Sequence, residues 1–144
     1  MRKIQVILFT ALMIIAAGCT HNNGDIGPWF GIWYLERMEI DGVDDPDYDG
    51  DVILKFQGSV LETQVIDPYA YNFGRFASWS CDGNIMIINA APDVTGVKGL
   101  ISRLKLPEED GLRLDVLSQT GKNATLRWVS PSGQTQTYFL RKHL

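Results

Sequence analysis

Apolar residues recur at every second position through most of this chain, and that period decides what it can become. Val52-Leu54-Phe56 alternate with Ile53-Lys55-Gln57, and Leu61-Thr63-Val65 alternate with Val60-Glu62-Gln64. Tyr71, Phe73, Ala77, Trp79 and Cys81 share one parity. The same pattern returns in Leu112-Leu114-Val116, Ala124-Leu126-Trp128 and Gln136-Tyr138-Leu140. A period of two places one set of side chains on one face of a strand; a helix would need 3.6. Asp49-Gly50, Gln57-Gly58, Asp82-Gly83, Asp110-Gly111, Thr120-Gly121 and Ser132-Gly133 punctuate the runs. Such pairs supply the positive-φ positions of tight hairpins. Strands at intervals of about 8–12 residues with these turns predict an antiparallel barrel or sandwich. Ile85-Met86-Ile87-Ile88 reads as a strand covered on both faces. Residues 90–107 break the pattern: Gly99 to Leu106 reads as a strand or a single helical turn, stopped by Pro107.

The first nineteen residues have another character. Arg2 and Lys3 precede an apolar run over residues 4–17, and Ala16-Ala17-Gly18 stand directly before Cys19. The run is shorter than the roughly 20 residues a bilayer span requires. Small residues followed at once by cysteine resemble the lipobox of a bacterial lipoprotein precursor. The resemblance implies a signal peptide over 1–18, cut before Cys19, whose thiol is then acylated and anchors the chain to membrane. The alternative is an ordinary secretory peptide with an incidental cysteine. Residues 19–28 are polar and aperiodic and read as a lipidated tether, leaving 29–144 as the single domain. Loss of Arg2 and Lys3 moves the formal charge from −4 to −6. An acidic surface argues against nucleic acid as a partner. No acidic block follows Cys19, which points to an outer-membrane lipoprotein facing the periplasm, expected to be a monomer.

Chemistry-bearing residues are sparse. With Cys19 taken by lipid, Cys81 has no partner and reads as a small core hydrophobe. The two histidines, His21 and His143, lie near the chain ends, which disfavours a Ser-His-Asp site or zinc. No enzyme activity is expected. Asp45, Asp47, Asp49 and Gly50 match the first half of a calcium loop, yet Phe56 stands where a bidentate Glu belongs. No EF-hand is therefore expected; a looser calcium site and a plain solvated acidic loop both remain open. No other cofactor is expected.

Gly31-Ile32-Trp33 opens the first strand, and residues 137–142, TYFLRK, make the last. Together they resemble the lipocalins. The resemblance implies an antiparallel up-and-down barrel of about eight strands, with the cation of Arg141 over the indole of Trp33 closing one end. Residues 31–42, 73–83 and 126–142 are similar to the small lipocalin-like lipoproteins of Bacteroides and relatives. The implied function is non-catalytic binding or carriage of a small apolar ligand in the cell envelope. Tyr71, Phe73, Trp79 and Trp128 are the candidate lining residues, with Arg75 to meet a ligand's polar end. The competing reading is an envelope interaction module with a filled core and a protein or glycan partner.

Overall fold

The computed structural model describes residues 27–67, 74–92, 96 and 99–143. Nine strands follow in chain order: β1 (Gly31–Ile40), β2 (Val43–Asp44), β3 (Val52–Gln57), β4 (Val60–Val65), β5 (Arg75–Asp82), β6 (Ile85–Ala90), β7 (Leu112–Gln119), β8 (Asn123–Val129) and β9 (Thr135–Lys142). Each pairs antiparallel with its neighbour in the order β2-β1-β3-β4-β5-β6-β7-β8-β9, and β1 also pairs with β9. That last pairing closes eight strands into an up-and-down barrel. β2 is a two-residue flap on β1, turned by Asp41-Gly42 with φ of 50° and 80°. Two successive positive φ values belong to the mirror-image hairpin turns that suit twisted strands. The expected lipocalin-like, all-β barrel is the fold.

Alternation becomes burial along every wall. Val52, Leu54 and Phe56 of β3 face inward beside Leu61 and Thr63 of β4. Ala77 on β5, Met86 and Ile88 on β6, and Leu112 and Leu114 on β7 continue the core. Ala124, Leu126 and Trp128, then Gln136, Tyr138 and Leu140, complete it from β8 and β9. Each fully buried large side chain contributes about 1.5–3 kcal/mol, so the inner face drives closure. Ile85 and Ile87 are only half-buried on the outer face, so β6 is covered on one side rather than two.

Two β-bulges depart from strict alternation. In β1 the register with β9 shifts between Leu35 and Arg37. Leu35 and Met38, three residues apart, are therefore both buried, and the extra residue Glu36 is turned to Arg141 at 2.6 Å. In β7 the shift lies between Val116 and Ser118, leaving Leu117 exposed. An added residue bends and twists a strand where a barrel has to curve.

One end of the barrel is closed by aromatic rings. Trp29 packs on Trp33 and Phe56 with ring centroids at 5.5 and 5.4 Å. Phe56 meets Trp79 edge-on at 4.9 Å, and the Trp33 indole N–H donates to Trp29 O at 2.7 Å. Among the described residues, the closed sheet and its core lie within residues 27–143.

Candidate functional site

At the opposite end, the long connection between β6 and β7 turns back into the barrel. Ser102–Leu104 form one 3-10 turn, the helical alternative of the sequence reading. Leu104 is 2 % exposed, and Leu100, Ile101 and Leu106 pack against the core beside it. Leucines at 100, 104 and 106 let a short irregular segment push apolar side chains inward while its polar residues stay outside. Residues 99–107 are in effect a plug.

Beneath the plug lies an apolar void of about 20 Å³, lined by leucines together with Phe56, Met86, Ile88 and Tyr138. Sites for small molecules typically run to about 300–1,000 Å³. Among the described residues, the barrel interior beneath the seated plug is filled.

Few polar contacts hold the plug. Tyr138 Oη lies 2.7 Å from Leu104 O, and Gln136 Nε2 donates to Lys105 O at 3.2 Å. Ile101 N–H donates to Thr63 Oγ1 at 3.4 Å. Lys105 closes the 3-10 turn with φ of 54°, a left-handed conformation costing a residue with a side chain about 1–2 kcal/mol. Its ammonium reaches Asp45 Oδ2 at 2.5 Å. That contact holds the Asp45 carboxyl below the usual carboxylate range, against the opposing effect of burial. Arg103 bridges Asp49 and Asp51 at 3.0 and 3.2 Å. Tyr48, from the same acidic loop, donates to Leu35 O, and burial raises its hydroxyl to about 12.

These pairings give the acidic loop its partners. Asp45 and Asp49 turn to Lys105 and Arg103, while the Asp47 side chain is 84 % exposed and 3.9 Å from Lys105. Among the described residues no group of three His, Cys, Asp or Glu side chains converges to hold a metal. The loop's cations come from the protein itself: the acidic stretch is the plug's counter-charge.

The candidate ligand residues scatter. Tyr71, Phe73 and the lipidation candidate Cys19 lie outside the described residues. Arg75 opens β5 opposite Thr63 near the plug, and Trp128 is buried near the end of β8 opposite Gln136. Trp79 belongs to the aromatic closure at the other end. None of the three lines the interior void.

The barrel-closing pair is also corrected. Lys142, not Arg141, places its cation 5.4 Å from the Trp33 ring centroid, and it donates to Pro28 O at 3.1 Å. Leu140 points inward, so alternation sends Arg141 outward and Lys142 back over the closed end. Cys81 packs against the core, with its thiol pushed up by burial, which disfavours the reactive thiolate. The leucine plug and the Gln136–Tyr138 pair are what the sequence reading missed; leucines interrupting a turn-rich segment were the available signal.

A closed eight-stranded antiparallel barrel with an apolar interior and aromatic closure at one end is a lipocalin-like fold. Solved structures agree in fold. A lipocalin-like protein from Bacteroides uniformis aligns with a TM-score of 0.63 at 19 % identity, covering 81 % of this chain and all of its own. An uncharacterised protein from Bacteroides eggerthii aligns with a TM-score of 0.59 at 14 % identity, covering 80 % and 99 %. No family model matches the sequence, and no curated protein matches it significantly.

Proposed function

We propose that this protein is a non-catalytic binder or carrier of a small, mostly apolar molecule, held in the barrel after the plug withdraws. The supporting observation is the plug itself: three leucines occupy an apolar interior without belonging to the sheet that surrounds it. The lipocalin-like fold favours the same reading. The lipobox-like start adds a lipid anchor at Cys19 and a place in the cell envelope, on the periplasmic side of the outer membrane, as a monomer. The filled core favours one second reading, an interaction module that never opens.

Residues 20–144, expressed without lipid, decide between them by titration with the fluorescent apolar probe N-phenyl-1-naphthylamine. Saturable one-site binding, tightened at least threefold in Leu104→Ala, supports the carrier. No binding by either protein refutes it and leaves the interaction module. Radiolabelled palmitate entering the full chain, and lost in Cys19→Ser, tests the anchor separately.

A further inference from the structure

Three polar residues are fully buried on the barrel wall beneath the plug: Thr63, Gln136 and Tyr138, at 0, 4 and 3 % exposure. The plug meets them with its backbone. Tyr138 Oη faces Leu104 O, Gln136 Nε2 donates to Lys105 O, and Thr63 Oγ1 receives the N–H of Ile101. The plug thus combines apolar side chains with peptide groups, and the wall answers each part. An apolar body fills the space, and amide groups meet the polar rim.

The hydrogen count sharpens this. Tyr138 Oη is 2.7 Å from Leu104 O and also 2.7 Å from Gln136 Oε1. The hydroxyl has one hydrogen, so one acceptor goes without it. Turning the Gln136 amide over would give Tyr138 a donor but lose the bond to Lys105 O and set two carbonyl oxygens against each other. The wall therefore offers donors at Tyr138 and Gln136 and retains acceptors at Gln136 Oε1 and Thr63. Withdrawing the plug takes the acceptor from Gln136 Nε2 and the Ile101 N–H from Thr63 Oγ1, while the Tyr138 hydroxyl turns to Gln136 Oε1, at about 1–3 kcal/mol for each buried group left unsatisfied. A ligand that replaces the plug has to restore both kinds of partner.

Resting on the binding function proposed above, we infer that the ligand is an apolar chain bearing an amide head. Its carbonyl takes the place of Leu104 O at Tyr138. Its N–H serves Thr63 Oγ1 or the surplus acceptor on Gln136. A carboxylate accepts only, and would bring a charge into an apolar interior at high desolvation cost. An ester has no donor. The amide alone of these heads matches both halves of what the plug supplies.

The test is competition by decanamide, methyl decanoate and decanoate against N-phenyl-1-naphthylamine on residues 20–144. Decanamide is expected to displace the probe at concentrations at least tenfold below methyl decanoate and decanoate. In Tyr138→Phe combined with Gln136→Leu, the amide's advantage over the ester is expected to fall below threefold while the probe still binds. The comparison of heads on the unaltered protein stands even if that variant fails to fold. Equal displacement by amide and ester, with the probe bound normally, overturns the amide assignment and leaves the binding function intact. Failure of the probe and all three chains to bind overturns the binding function, and this inference with it.

Discussion

The ammonium of Lys142 ties the last strand to Pro28 and stands beside Trp33, a side chain with no exposed surface. Arg141, one residue earlier, is directed to Glu36 on the outer wall. Lys142→Met is expected to lower unfolding free energy by about 1 kcal/mol, the scale of a partly exposed cation–π contact. Arg141→Met should change it by less than about 0.5 kcal/mol, as surface ion pairs do. Chemical denaturation of the two variants checks both values. Trp33→Ala should cost about 3–5 kcal/mol by the same measurement. Gly31-x-Trp33 was legible in the sequence as the barrel's first strand. Its basic partner was misassigned by one position, because a short motif does not carry strand register. Counting in twos from inward Leu140 selects Lys142.

The plug is the element on which ligand access turns, and two levers move it. Asp45 has its folded pKa lowered, so folded Asp45 binds its proton less readily than the unfolded chain, whose value is near 3.9. Its stabilisation is therefore present above about pH 4 and lost as pH falls through the folded value. Thermal melts between pH 5 and pH 2 should show a smaller acid-induced drop in Tm for Asp45→Asn than for the unaltered protein. The second lever is Gly99, whose φ of 134° is one that L side chains rarely adopt. An added Cβ would lie 2.9 Å from Glu108 Cγ. Gly99→Ala should cost about 1–3 kcal/mol, with amide hydrogen exchange at Leu104 and Lys105 rising before that of β8 and β9. The sequence marked this region as irregular and offered a strand or a single helical turn, but not its seat inside the barrel. Its structure depends on Thr63, Gln136 and Asp45, distant in the chain, and no local period encodes such contacts. The counter-ions of the acidic loop, Arg103 and Lys105, were illegible for the same reason, since they lie over fifty residues away.

At the scale of the whole molecule, first and last strands join along seven residue pairs from Trp33–Lys142 to Ile40–Gln136. The start of the first strand and the end of the last adjoin there, with His143 N–H donating to Ile32 O at 2.8 Å. A permuted chain linking residue 143 to residue 27 through a short flexible segment, opened at the exposed Gly83-Asn84 turn, should keep the barrel. Its unfolding free energy is expected within about 2 kcal/mol of the original, because such exposed turns tolerate new termini. Most strands and their facings were legible from alternation, which left barrel and sandwich both open; β6 was read as covered on two faces and has one. Closure rested on the likeness between residues 31–33 and 137–142 and the lipocalins, since pairing of distant strands leaves no local trace.

Residue 27 enters beside the aromatic closure, while the plug sits at the other rim. Ten residues of tilted strand separate the two by about 25 Å. The molecule thus has a heel and a mouth. If Cys19 is anchored as proposed, the tether joins the domain at the heel, and a cargo of the proposed carrier would reach the plug from the rim opposite the tether's entry.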